Sequence, residues 1–147
     1  MLKVDYKDIN NFKEELKFIE KDIGKYLKQQ TSLIGEDLVS RTKRRQFGQL
    51  GPASCKAVDT GTMGNMWQLT EVYKYGNEYL ITMYNSTYYA LWVEESHEVV
   101  VHGIHTGSFT RPRHMMKISR AEIDLEMPKR MKEIVENYIK ENSIYFK

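Results

Sequence analysis

Cysteine is almost missing from this chain. Among 147 residues Cys55 is the single thiol, so no intrachain disulfide can form and a disulfide-stapled secreted scaffold is excluded. Apolar runs are short. None approaches the ~20 residues that a bilayer-spanning helix needs, which excludes an integral membrane helix. The first residues, Met1-Leu2-Lys3-Val4-Asp5-Tyr6-Lys7-Asp8, lack the apolar core of a signal peptide. Synthesis in a reducing cytosol is therefore the expectation. Internal repeats, low-complexity linkers, a Walker loop and a GxGxxG turn are all missing, and no carboxylate pair stands at a useful catalytic spacing.

The composition that remains is ordinary for a globular protein, with 41% apolar and 29% charged residues. The length suits one domain, 1–147, and a chain of this size buries roughly two-thirds of its unfolded surface. The formal net charge of +2 is unevenly spread. Residues 1–40 carry seven basic and eight acidic side chains, and residues 41–56 carry five basic and none acidic. Residues 57–110 then carry one basic and six acidic. A basic block beside an acidic one is what head-to-tail association of identical subunits uses, although two solvated patches explain it equally well.

Helical periodicity opens the chain over residues 8–46. Ile9, Phe12, Leu16, Ile19, Ile23 and Leu27 recur at steps of three and four on one stripe. Lys13, Lys17, Lys21 and Lys25 fall on the wet side. Thr31-Ser32 either interrupts the helix or lies within it. Residues 47–65 read as a loop, punctuated by Gly48, Gly51, Pro52, Gly61 and Gly64. A β region follows over 66–110. Met66–Tyr75 and Glu78–Tyr84 flank Gly76-Asn77, the composition of a two-residue hairpin turn. Tyr88–Val93 is apolar on both faces and fits a buried strand or a short buried helix. Val99–Val101 reads as a strand that runs into a loop between Gly103 and Gly107. Residues 113–142 are helical again, with Ile118, Ala121 and Leu125 on one stripe and Met131, Ile134, Val135, Tyr138 and Ile139 on another. Pro128 either starts a new helix or kinks a continuing one. The expected fold is α+β: an antiparallel sheet of three to four strands packed against a long N-terminal helix and C-terminal helices.

Each candidate for chemistry has a plainer explanation. Cys55 as a nucleophile needs a base, and nothing fixes its distance from His97, His102, His105 or His114. Those histidines as zinc ligands lack cysteine partners and a His-Glu-x-x-His helix. The cluster Arg41, Lys43, Arg44 and Arg45 suits phosphates or a neighbouring subunit, and it equally suits the C-terminal turn of a helix. No cofactor or metal is expected. Six of the ten tyrosines, from Tyr73 to Tyr89, fall in the β region, which suits a protein-binding face as well as plain β-propensity.

Two separated segments carry a resemblance. Val58-Asp59-Thr60-Gly61-Thr62-Met63 is followed by a β region. Tyr88-Tyr89-Ala90-Leu91-Trp92-Val93-Glu94 is followed by Arg111-Pro112 and a terminal helix. Their order and spacing resemble the phage tail-component family typified by the gene-ten product of lambdoid phages, the tail-completion or neck proteins. The chain departs from that pattern after Glu94, where family members commonly carry a glycine and where 95–110 is longer and richer in histidine. The matched residues Asp59, Thr60, Gly61, Tyr89, Ala90, Val93, Glu94, Arg111 and Pro112 make sense as architecture. Asp59 and Thr60 can fix a turn through backbone amides, and Gly61 permits a positive φ.

The resemblance implies a structural, non-enzymatic particle component. It would form a ring on itself, expected to be a hexamer. Its other partners would be the tail terminator, the tail tube and neck or connector proteins. DNA would pass through the lumen without sequence-specific contacts, and no membrane is involved. Its expected location is the bacterial host cytoplasm during assembly, then a virion or tail-like particle. The cluster Arg41, Lys43, Arg44 and Arg45 is the expected subunit interface, so that reversing Arg44 and Arg45 to Glu should leave the monomer folded but stop its incorporation into tails. The alternative reading is a small nucleic-acid-binding domain using the same cluster.

Overall fold

The structure, a computed structural model, describes residues 6–52, 56 and 61–142, without the side chains of residues 6–12. Cys55, Asp59 and Thr60 lie outside the described residues.

The apolar period at the start of the chain produces one helix, α1, from Tyr6 to Gln46. Thr31 does not break it, because the hydroxyl donates back to the Leu27 carbonyl at 2.8 Å and so stays inside the helical pattern. The helix stops at Gly48, which has φ +71°. There Gly48 N donates to Arg45 O at 2.9 Å and Gln49 N donates to Arg44 O at 2.7 Å. This is a Schellman closure that consumes the last carbonyls. Beyond the loop, Gly61 with φ +77° leads into a single turn, α2, Thr62–Asn65.

The first hairpin forms around the expected Gly76-Asn77 turn. Strands β1 (Trp67–Leu69) and β4 (Met83–Asn85) pair antiparallel, as do β2 (Tyr73–Tyr75) and β3 (Glu78–Leu80). Thr70 bridges the two ladders: its N–H donates to Thr82 O, and its hydroxyl accepts from Thr82 N–H. Residues 90–95 choose the helical option, α3 (Ala90–Glu95). Strand β5 (Glu98–Val101) follows as expected, but Gly103–Gly107 is not a loop. Strand β6, Ile104–Phe109, returns along β5 through the tight turn His102-Gly103, both with positive φ. The antiparallel strands thus sit in three two-stranded ladders beside the helices, within an α+β fold.

Helix α4, Met115–Glu141, runs through Pro128 without ending. It lies antiparallel to α1, since Arg45 meets Glu122, Arg41 meets Glu126 and Asp37 meets Arg130. Where the helices cross, each presents a small hydroxyl that is fully buried, Thr42 and Ser119. Both hydroxyls are satisfied by the carbonyl four residues back.

The apolar core is small and one-sided. Met63, Trp67, Ala90 and Met115 form its centre, with Val39, Met83, Tyr89, Val93, Met116 and Ile118 packed around. Two expected stripes turn out differently. Leu125 is 83% exposed, and Met131, Val135 and Ile139 are also exposed; only Ile123, Ile134 and Tyr138 of that helix half are buried. The period was helical, but α4 turns its charged side toward α1 and leaves much of its apolar side facing out. Among the described residues no helix is long and apolar enough to cross a membrane.

Candidate interaction surfaces

The motif residues on α3 converge on the start of α4. Ala90 is buried in the core, and Tyr89 and Val93 pack against it. Glu94 is 4% exposed. Its Oε2 accepts from Met115 N–H at 2.8 Å, and its Oε1 accepts from Lys117 N–H at 2.9 Å. The Glu94 carbonyl also accepts from His114 N–H, and the Val93 carbonyl accepts from Arg113 N–H. A helix start leaves its first N–H groups unpaired and carries a partial positive charge. His114, at the N-cap in a left-handed conformation, supplies no side-chain cap, and the buried carboxylate of Glu94 takes over that role. Pro112 is half-buried in the connection, and Arg111 is exposed.

The basic cluster divides. Arg41 makes a bidentate pair with Glu126, with both N–O distances 2.8 Å, and also reaches Asp37 at 3.1 Å. Arg130 joins Asp37 and Glu126 from the other helix. These hydrogen bonds, from Arg41 first and then Arg130, hold the Glu126 carboxyl down to about 2. Burial alone would raise Asp37, but Arg130 and Arg41 outweigh it and keep that carboxyl below the usual range. Arg45 is 1% exposed and pairs with Glu122, while its Nε and Nη1 have no partner among the described residues. Gln46 is buried beside it and accepts from Trp67 Nε1–H at 2.9 Å. Arg41 and Arg45 are therefore engaged in internal contacts, and the burial of Arg45 predicts that reversing its charge would disturb the fold. Lys43 remains half-buried and Arg44 exposed. Within the chain, Arg41 and Arg45 meet the carboxylates Glu126 and Glu122 of α4.

The histidines do not gather. His105 Nδ1 lies 2.7 Å from Glu98 Oε2 across β5–β6, and His97 Nδ1 lies 3.1 Å from the Thr110 hydroxyl. Among the described residues no group of three or more His, Cys, Asp or Glu is placed to hold a metal.

Exposed apolar side chains occur on α1 (Leu16, Phe18 and Leu33) and β2 (Tyr73 and Tyr75), and further groups stand on α3, the β5–β6 ribbon and α4. Tyr88, Leu91 and Trp92 stand out on and beside α3, with Tyr88 edge-on to both Tyr89 and Trp92. Val100, Val101, Ile104 and Phe109 are exposed on the β5–β6 ribbon, where every residue of β6 faces solvent. Leu125, Met131, Val135 and Ile139 form the third group, on α4. The apolar stripe on α4 was readable in the sequence. Its outward direction was not, because that depends on which face the carboxylates Glu122 and Glu126 claim. The capping role of Glu94 was also missed, since its partners lie more than twenty residues downstream and no local spacing signals them. No family model, no curated protein and no solved structure matches the chain.

Proposed function

We propose that the chain is a structural assembly component: a tail-completion or neck protein at the head-proximal end of a phage tail or phage-tail-like particle. In this reading it joins the tail tube and terminator to the neck as part of a ring of its own copies. It works through binding energy and carries no catalytic step. Its place is the host cytoplasm during assembly and the particle afterwards.

One observation carries the reading: apolar and aromatic side chains stand exposed on α3, on the β5–β6 ribbon and on α4 at once. Large exposed apolar patches mark protein interaction surfaces, and aromatic anchors dominate such interfaces. A two-stranded ribbon is at best marginally stable by itself in water and gains from being covered. The motif Tyr89, Ala90, Val93 and Glu94 is engaged in holding α3 to α4, a scaffold's use of those residues. The alternative, nucleic acid bound at 41–45, loses two of its four cations to the intramolecular pairs of Arg41 and Arg45.

The test is particle composition. Particles purified from the native locus should contain the protein, by mass spectrometry, and the double variant Leu91→Asp, Trp92→Asp should fold but fail to be incorporated. Tails that mature normally without the gene, and particles that contain no copy of the protein, would overturn the reading.

A further inference from the structure

A groove runs between α1 and the first hairpin. Lys17, Lys21, Lys25 and Lys28 line its helix wall, and Lys74 and Tyr79 line the facing wall over a volume of about 450 Å³. It continues past Lys25 and Lys28 along Ser32 toward Thr70. The groove exists because Gly24 has no side chain: a Cβ there would lie 2.8 Å from the Tyr79 hydroxyl, so the hairpin leans directly on the helix backbone. Lys17 pairs with Glu14. Lys21, Lys25, Lys28 and Lys74 form no ion pair among the described residues, and Lys74 lies 5.8 Å from the centre of the Tyr79 ring. Glu20 and Glu71 are the acidic residues on the walls, so lysines prevail.

We infer that this groove binds the phosphate backbone of duplex nucleic acid without reading its sequence. Four residues of helix rise ~6 Å, so Lys17, Lys21, Lys25 and Lys28 form a linear track ~16 Å long. A linear row of ammonium groups, unpaired at Lys21, Lys25 and Lys28 among the described residues, matches a polyanion, whose charges recur along a line. A protein partner would need apolar anchors at the centre of the contact. The walls offer none that is exposed: Tyr79 is half-buried and Val72 is buried. A single strand would need aromatic faces on which to stack its bases. Tyr73 and Tyr75 are exposed, but they alternate with Lys74 along β2 and so occupy the opposite face of the hairpin. This inference goes beyond the assembly reading and stands or falls without it.

The experiment is fluorescence anisotropy with a labelled 20-base-pair DNA duplex of mixed sequence, titrated with the full chain between 50 and 200 mM salt. About four neutralised phosphates give a log–log slope near −3.6, roughly a 150-fold loss of affinity over that range. The triple variant Lys21→Gln, Lys25→Gln, Lys28→Gln should bring the slope to about −1. Circular dichroism checks its fold, and Lys74→Gln alone, on the hairpin wall, should lower the slope by about one. Lys43→Gln with Arg44→Gln should leave the slope unchanged. A wild-type slope shallower than about −1, an unchanged slope in the triple and Lys74 variants, or equally effective competition by polyglutamate would overturn the inference. So would a tenfold preference for the single strand over the duplex.

Discussion

The two flanks of α1 treat positive charge in opposite ways. On the flank facing α4, Arg41 and Arg45 are held by Glu122 and Glu126, and Arg130 reaches across to Asp37. On the flank facing the hairpin, Lys21, Lys25 and Lys28 have no carboxylate partner among the described residues. The residue types fit these tasks. The planar arginine fork suits a fixed bidentate pair, whereas lysine is a flexible, strongly hydrated point charge. The totals along the sequence pointed the other way. Residues 41–56, with five basic side chains and no acidic one, stood out as the basic patch, while 1–40 looked neutral. Folding pairs two of the five cations of the conspicuous patch, Arg41 and Arg45, and leaves the lysines within the inconspicuous segment available.

The sharpest way to break this contrast is on the arginine flank. Arg45→Glu would set a buried carboxylate against Glu122, and breaking a buried pair costs about 3–5 kcal/mol. Denaturant unfolding should show that loss or no folded state at all. Arg44→Glu, one residue away but exposed, should change stability by no more than about 0.5 kcal/mol.

The hairpin flank depends on close approach rather than charge. A Cβ at Gly35 would lie 2.7 Å from Ile81 Cδ1 and 3.3 Å from both Leu69 methyls. Gly35→Val should therefore cost about 1–3 kcal/mol through overpacking, measured as a lower denaturant midpoint with an unchanged slope.

The mildest probe is acid. Glu126 is ordinarily a carboxylate with a pKa near 4.3, and here it is held down to about 2. A depressed folded pKa contributes stability above the unfolded value, and that contribution is lost as pH falls through the folded one. Thermal midpoints should decline between about pH 5 and pH 2. In Glu126→Gln the part of that decline due to this carboxyl should vanish, while the part due to Asp37 persists. Because Glu126 is 43% exposed, solvent screening makes this effect smaller than those of Arg45→Glu and Gly35→Val.

Much of the fold was legible because its signals are local. The stripe from Ile19 to Leu27 marks α1, and Gly76-Asn77 marks the hairpin. Strand β6 was not legible. Ile104–Phe109 contains His105 and Gly107 and is exposed throughout, so no buried face imposes an apolar alternation. In α4 the helix was legible but its orientation was not. Glu122, Glu126 and Arg130 face α1 because their partners stand at Arg45, Arg41 and Asp37, and that match belongs to two segments far apart in sequence. The lysine row was legible as a row. Its meaning depended on Lys74 and Tyr79, which only the folded hairpin brings opposite.

Glu94 has a mechanical consequence. One carboxylate grips two open amides in the first turn of α4, at Met115 and Lys117, while its own backbone belongs to α3. Force applied at Trp92 therefore passes into the axis of α4 through two short bonds with little slack. A 27-residue helix is ~40 Å long, so a load taken up at Met115 and Lys117 enters an element that spans much of the molecule. That path does not end at α4, because Glu122, Glu126 and Arg130 tie the helix to α1 and Tyr138 holds its far part to Asp22 and Tyr26. The short helix with the exposed aromatics is thus joined directly to the start of the 27-residue α4.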